Sequence, residues 1–277
     1  KILIFSGDIG QDDDVLMFPP IKPKQADYVF LESTYGNRIH PQENVLLELE
    51  SIINNTVNRN GNVVIPSFAV ERVQTMMYLI WQLRKQDRIP NIKYIIDTPM
   101  GISVLDIFKE NLKWHKLTAK DCEEMCDTFT LISDYQDTVA AIYDENPKVV
   151  IAASGMVTGG RALSYLERYI IEPENTVILV GFQAEGTRGR RLLEGEKEIK
   201  FHGKFYPVHA NIISIEGLSA HGDQNDLLNW ISELEKPPTK IFLVHGENSA
   251  LDALRIKIVE RYKYECQGPI LNQVIEI

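Results

Sequence analysis

Phe242-Leu-Val-His-Gly-Glu247 places a histidine directly behind a run of β-forming apolar residues, Ile241 to Val244. A short, wholly apolar run stopped by a His-Gly pair reads as a buried strand of a layered α/β protein. His245 then stands at the edge of a sheet, where the sites of such proteins collect. The same arrangement recurs elsewhere in the chain. Leu218-Ser-Ala-His-Gly-Asp223 sets His221 before a glycine, and Ser6-Gly-Asp-Ile-Gly10 sets Asp8 in a glycine-flanked turn. Leu31-Glu-Ser-Thr-Tyr-Gly36 ends an apolar strand on Glu32. Each residue has a plain structural reading: an Asx-turn for Asp8, a solvated strand end for Glu32, core histidines for His221 and His245. Four chemically suitable residues, each beside a small one that permits close approach, read together as a constellation.

The rest of the chain alternates strands and helices. Strands are expected from Lys1, at Asp27–Glu32, Asn62–Pro66, Ile92–Asp97, Lys148–Ala153, Thr176–Val180 and Lys240–Val244. Helices are expected from about Pro41 to Asn58, then at Val70–Lys85 and from Thr98 to Phe108. Further helices follow from Gly160 through Tyr169, at Asp226–Leu234 and at Ala250–Tyr262, with a β-rich stretch at Phe201–Ile215. The first helix, for instance, carries Val45, Leu46, Leu49, Ile52 and Ile53 on one face. This alternation implies an α/β fold built on a mostly parallel sheet covered on both faces.

At 277 residues the chain has room for one large domain or two ordinary ones. With 44% hydrophobic and 25% charged residues its balance is that of a globular protein. No apolar run approaches the ~20 residues of a membrane span, and no signal peptide is visible. Three cysteines argue against a disulfide framework and for a reducing, cytoplasmic setting. Cys122 and Cys126 share a helix face but lack the second ligand pair a zinc site needs. A net charge of −10 disfavours non-specific nucleic-acid binding. Local basic residues remain, notably Arg188, Arg190 and Arg191 in the stretch Thr187–Lys204, interleaved with Glu194, Glu196 and Glu198. The loop Ser154-Gly-Met-Val-Thr-Gly-Gly160 follows a strand and precedes a helix, so its backbone N–H groups are candidates for holding a phosphate.

These motifs resemble those of the β-CASP group of the metallo-β-lactamase superfamily, the RNA-processing nucleases related to the cleavage and polyadenylation endonuclease and to RNase J. Ser6–Gly10 resembles the family's fourth metallo-β-lactamase motif, Leu31–Gly36 its motif A, Ser219–Asp223 its motif B and Val244–Glu247 its motif C. Ile65–Arg72 and Ala153–Arg161 are similar to sequences of the inserted domain. The resemblance implies a Rossmann-like α/β/α β-CASP domain, residues 37–218, inserted in a partial metallo-β-lactamase αββα domain, residues 1–36 and 219–277. It implies hydrolysis of RNA phosphodiester bonds, from within or from the 5′ end, with two zinc ions. Asp8 would bridge the metals, His245 would ligate one, His221 would be the general acid and Glu32 its partner. Histidine rather than valine at position 245 points to RNA over DNA. Ser154, Gly155, Met156, Thr158, Gly159, Arg161, Arg188, Arg190, Arg191 and Ser219 are the expected RNA-phosphate contacts.

The chain departs from the family in one respect. The His-x-His-x-Asp-His run and the further histidine that normally precede Ser-Gly-Asp do not occur in it; His40 and His115 come after Asp8 and stand alone in sequence. A strand that begins at the first residue is what a fragment of a longer protein would show. Weak or absent zinc binding and no activity are therefore expected of these 277 residues alone. RNA is the expected partner, a homodimer the expected assembly and no membrane contact is expected. The rival readings are a non-catalytic RNA-binding scaffold and an α/β binding protein for a phosphorylated ligand.

Overall fold

The computed structural model describes residues 1–41 and 44–276, with only the backbone of Glu216. The chain begins with β1 (Leu3–Phe5), β2 (Tyr28–Glu32), α1 (Val45–Asn58), β3 (Val63–Pro66) and α2 (Arg72–Lys85). It continues with β4 (Lys93–Asp97), α3 (Pro99–Glu110), α4 (Ala119–Asp127), β5 (Thr130–Ile132), α5 (Tyr135–Tyr143) and β6 (Lys148–Ala152). Next come α6 (Gly160–Tyr169), β7 (Thr176–Val180), α7 (Arg188–Leu193), the hairpin β8 (Glu198–Phe201) and β9 (Lys204–Pro207), and β10 (Asn211–Ile215). The last elements are α8 (Gln224–Trp230), β11 (Lys240–Val244), α9 (Asn248–Tyr262) and β12 (Cys266–Gln267). They form two compact units, Lys1–Pro41 with Ser219–Ile277, and Gln42–Leu218.

The first unit is built on a four-stranded parallel sheet of order β1-β2-β11-β12. Side chains alternate across it. Val29, Leu31, Ile241 and Leu243 face α8 and α9 and form a core with Leu227, Ile231, Leu254 and Ile258. Phe5, Phe30 and Phe242 stack along the other face, ring centroids 4.5 and 5.0 Å apart. Helix α8 starts at a capping box in which the Asp223 side chain accepts from the backbone of Asn225 and Asp226. The charge at that N-terminus and the two bonds together fix where the preceding loop must end.

The second unit carries a six-stranded parallel sheet of order β10-β7-β3-β6-β4-β5. Its central strands β3, β6 and β7 are wholly buried, and the apolar runs Val63–Pro66, 149–152 and 177–180 supply their side chains. Tyr165, Leu166 and Tyr169 of α6 pack over Val64, Val150 and Val177. The expected first helix differs at its start, which falls beside residues 42 and 43, outside the described residues. Helix α2 begins two residues after the expected Val70, because Glu71 adopts a left-handed φ of 66°. Among the described residues no helix is long and apolar enough to cross a membrane.

All three cysteines are free thiols. Burial pushes each of them up, Cys266 from 9.0 to about 12. Folding thus favours the neutral thiol, and the contribution of Cys266 to stability is full below pH 9 and fades as pH rises toward 12. At pH 8 its thiolate, the reacting species, is about a thousandfold scarcer than in the unfolded chain. Alkylation of the native protein by iodoacetamide at pH 8 is therefore expected to be slow at Cys266 and to reach the ordinary thiol rate only in denaturant. Rapid native labelling there, read by peptide mass mapping, would refute the burial argument.

Candidate active site

Register builds the site. Pairing of β2 with β11 sets Glu32 opposite Val244, so both strands end together and Ser33 and His245 emerge side by side. Ser33 Oγ donates to Val244 O at 2.9 Å, and Thr34 Oγ1 donates to His245 O at 3.0 Å. His245 takes a left-handed φ of 54°. The next residue has to be glycine, because a Cβ on Gly246 would lie 2.5–2.7 Å from Ser33 Oγ, O and C. The His-Gly pair is thus a backbone requirement of the strand end as well as a chemical feature.

Glu32 is 1% exposed, which a carboxylate tolerates only with partners. It has several. Ile9 N donates to Oε1 at 2.5 Å, and His221 Nδ1 lies 3.1 Å from Oε1 and 2.9 Å from Oε2. A carboxylate only accepts, so Nδ1 carries the hydrogen and Nε2 is the nitrogen turned away from Glu32. The loops holding these groups are laced together. Ser6 N donates to Phe30 O at 2.9 Å and Gly222 N to Ile9 O at 2.6 Å. Ser6 Oγ accepts from Glu32 N at 3.0 Å, and Ser219 Oγ accepts from His221 N at 3.2 Å.

Asp8, His221 and His245 converge. Their ligand atoms all lie within 4.8 Å of one another, the only such group among the described residues. His245 Nδ1 is 3.6 Å from Asp8 Oδ1 and 3.2 Å from Thr34 Oγ1. The His221 and His245 rings are 5.5 Å apart. The side chains of Asp8 and His245 are 65% and 59% exposed and that of His221 is 18% exposed, so a small ligand can reach all three. One carboxylate oxygen and two imidazole nitrogens suit zinc in kind, and three donors suit one catalytic ion in number. Two ions would need more ligands than these residues bring.

His40, isolated in sequence, is not isolated in space. Its Nε2 is 3.0 Å from His221 O, its backbone N donates to Asp223 Oδ2 at 3.0 Å, and its ring meets Tyr35 edge-on at 4.8 Å. His115 stays apart, stacked on Phe108 at 3.8 Å. Sequence reasoning passed over His40, Ser33 and Thr34. For the last two, their place directly after Glu32 was the available signal.

The expected phosphate contacts fare differently. Ser219 is 2% exposed and shapes the turn, its carbonyl accepting from Gln11 Nε2 at 2.7 Å. In the second unit the loop 154–160 is closed on itself. Ser154 Oγ accepts from Thr158 N at 3.2 Å and Gly159 N at 3.3 Å, the N–H groups that were to cradle a phosphate. Gly155 O accepts from Gln183 Nε2 and Met156 O from Gly189 N, each at 3.1 Å. Arg188 donates to the carbonyls of Lys200, Val157 and Thr158. Arg190 pairs with Glu194 at 2.7 Å and Arg191 with Glu196 at 2.8 Å. Arg161 is bound to Asp97 at 2.7 Å, to Ser133 O at 2.6 Å, and to Thr138 Oγ1. Arg161 and Arg188 join elements of the fold through carbonyls and a buried carboxylate, whereas Arg190 and Arg191 make local pairs with exposed carboxylates.

Residues 73–192 match the Beta-Casp domain, and residues 206–269 match the Zn-dependent metallo-hydrolase RNA specificity domain. The chain belongs to the β-CASP family of the metallo-β-lactamase superfamily. Among its β-CASP relatives are ribonuclease TTHA0252 of Thermus thermophilus, 32% identical, and an RNase J-like protein of Methanocaldococcus jannaschii, 29% identical. The first alignment covers 92% of this chain and 59% of the relative, the second 100% and 66%. Transcription termination factor FttA of Methanosarcina mazei is 27% identical over 96% of this chain and 44% of its own length. The chain thus spans between 44% and 66% of these β-CASP relatives. His221 and His245 fall within the RNA-specificity segment, whereas Asp8 and Glu32 lie outside both matched segments.

Proposed function

We propose that this chain provides the proton-donating and part of the metal-binding machinery of a zinc-dependent ribonuclease that hydrolyses RNA phosphodiester bonds. The observation that carries this reading is the buried Glu32 holding His221 Nδ1 at 2.9 Å, beside Asp8 and His245. Such a pair sets the imidazole's tautomer and orientation, as general acid–base chemistry requires. The match to an RNA-specificity domain, and relatives named as ribonucleases, support RNA as the substrate. Three free thiols support a reducing, cytoplasmic setting.

Asp8 and His245 would hold zinc, which supplies Lewis-acid stabilisation of the charge that develops on the phosphate. The attacking water's oxygen bonds to phosphorus as the bond to the 3′-oxygen breaks. His221 Nε2 gives its proton to that oxygen, leaving a 3′-hydroxyl and a 5′-phosphate. Glu32 keeps the ring in place and balances the imidazolium before the proton leaves. Thr34 and Gly246 hold His245 at its strand end.

A matched pair of RNA and DNA strands of one sequence, offered to the protein as its gene encodes it, tests the reading. Cleavage of the RNA strand alone, abolished by a zinc chelator and restored by zinc, is expected. Cleavage of DNA in preference to RNA, or cleavage unaffected by chelation, would overturn it.

A further inference from the structure

We infer that the outer face of the hairpin β8–β9, centred on Phe205, is a stacking platform for a base of single-stranded RNA. The inference rests on the ribonuclease reading and adds to it a contact on the second unit. Three observations carry it.

The first is a ring that no core explains. Register pairs Lys200 with Phe205 and Ile199 with Tyr206, so side chains alternate between the two faces of the ribbon. Ile199 and Phe201 are turned into the core of the second unit, and Tyr206 packs against it. Phe205 is turned the other way and is 61% exposed. Folding therefore gains little from its ring.

The second is rigidity. The two residues of the turn, His202 and Gly203, have φ of 40° and 89°, the left-handed pair that a type I′ hairpin turn needs. His202 Nδ1 lies 2.8 Å from a carboxylate oxygen of Glu167 on α6. Arg188 Nε donates to Lys200 O at 2.6 Å, and Val208 N donates to Lys197 O at 2.8 Å. The ribbon is thus tied at its tip, its middle and its foot, and a nucleobase that stacks on Phe205 has no loop to order first.

The third is charge. The chain carries −10 overall, a balance that repels RNA. The hairpin does not share it. Lys197, Lys200 and Lys204 are exposed, and among the described residues no ion pair joins any of them to an acid. Glu194 and Glu196, just before the ribbon, are taken by Arg190 and Arg191. Glu198 is the one acid of residues 197–207. Lys200 Nζ stands 5.5 Å from the centre of the Phe205 ring. An exposed ring beside cations is what sequence-tolerant binding of single strands uses: the ring takes a base and the cations take the flanking phosphates. A partner protein would need acids placed to meet these lysines, whereas RNA brings one charge with every nucleotide.

The experiment measures binding of a fluorescein-labelled single-stranded oligoadenylate by anisotropy, on the protein as its gene encodes it, with a chelator present so that no strand is cut. Phe205→Ala should weaken binding about 5–150-fold, the worth of one stacked base, and Phe205→Leu should do the same. Phe205→Trp should bind as the parent does. Lys200→Ala and Lys204→Ala should each flatten the slope of log affinity against log salt by about 0.7. In turnover with zinc, Phe205→Ala should raise KM for RNA and keep kcat. It should leave a nitrophenyl phosphodiester, which has no neighbouring base to stack, turned over as before. An unchanged urea midpoint shows that the fold is intact. Parental affinity in Phe205→Ala or Phe205→Leu overturns this inference and leaves the ribonuclease reading standing. A lower sedimentation mass in Phe205→Ala, with RNA affinity unchanged, overturns it too and marks the face as a protein contact. A parent that neither binds the oligoadenylate nor cuts RNA defeats both.

Discussion

Replacing His221 by alanine is expected to lower kcat for RNA cleavage by about 10²–10⁴-fold, with KM little changed. The expectation follows from the direction of the ring. Nδ1 is committed to the buried Glu32, so only Nε2 can serve the reaction. A proton donor acts on the leaving group, and its loss is felt in proportion to how badly that group needs the proton. The ribose 3′-oxygen is a poor leaving group and needs it greatly. Nitrophenolate leaves without one. On a nitrophenyl phosphodiester the His221→Ala defect should therefore shrink to a small fraction of its size on RNA. Equal defects on both substrates would mean that His221 acts by holding a metal ion in turnover rather than by giving a proton. Glu32→Gln should fall between the parent and His221→Ala on RNA, because the amide can still accept from Nδ1 but no longer balances an imidazolium. Both assays belong on the protein as its gene encodes it, with the same preparation serving both substrates.

Much of this arrangement could be read before the coordinates because strand ends have strong local signatures. Tyr28–Glu32 and Lys240–Val244 are apolar runs stopped by residues that either bend or bear charge, and the two prove to be paired neighbours whose last residues sit in register. What the motifs did not contain was proximity across the chain. Nothing near His40 in sequence marks it as a partner of His221; their contact depends on the loop before α8 returning beside it. The stretch between Phe108 and Lys148 yielded no element, for a related reason. It holds α4, β5 and α5 at the sheet's edge, where Cys122 and Met125 are the only buried residues of α4 and two of the three residues of β5 are exposed. Periodicity fades when so few positions face a core. The loop 154–160 shows the opposite ambiguity. Glycine, serine and threonine between a strand and a helix are what an anion site needs, but they are also what a loop needs to satisfy itself, and Ser154 Oγ does the latter.

Arg161 separates those two readings most sharply, and Asp97→Ala is the substitution that tests it. Asp97 is fully buried at the end of β4. Its Oδ1 accepts from Arg161 Nη1 and its Oδ2 from the Tyr165 hydroxyl, each at 2.7 Å. Burial, and then Asp97 itself, hold the Tyr165 hydroxyl far above the ordinary tyrosine range, so it remains a donor at any pH the fold survives. Removing Asp97 strands a largely buried guanidinium, whose other partners are the carbonyls of Ser133 and Asp134 and the hydroxyl of Thr138, none of them charged. A buried pair broken from one side typically costs about 3–5 kcal/mol. Asp97→Ala is therefore expected to lower unfolding stability by that amount in urea titrations, and Arg161→Ala by a similar amount, since it leaves the buried carboxylate with only Tyr165. Tyr165→Phe removes one hydrogen bond to a carboxylate and should cost about 1.5–3 kcal/mol. The phosphate-contact reading makes the opposite demand: an arginine that serves RNA alone would leave stability within about 0.5 kcal/mol on removal and weaken RNA binding instead. Arg161→Ala with parental stability and raised KM for RNA would restore that role. The number of bonds converging on one guanidinium argues for stability, because each is an acceptor that the interior would otherwise leave unpaired.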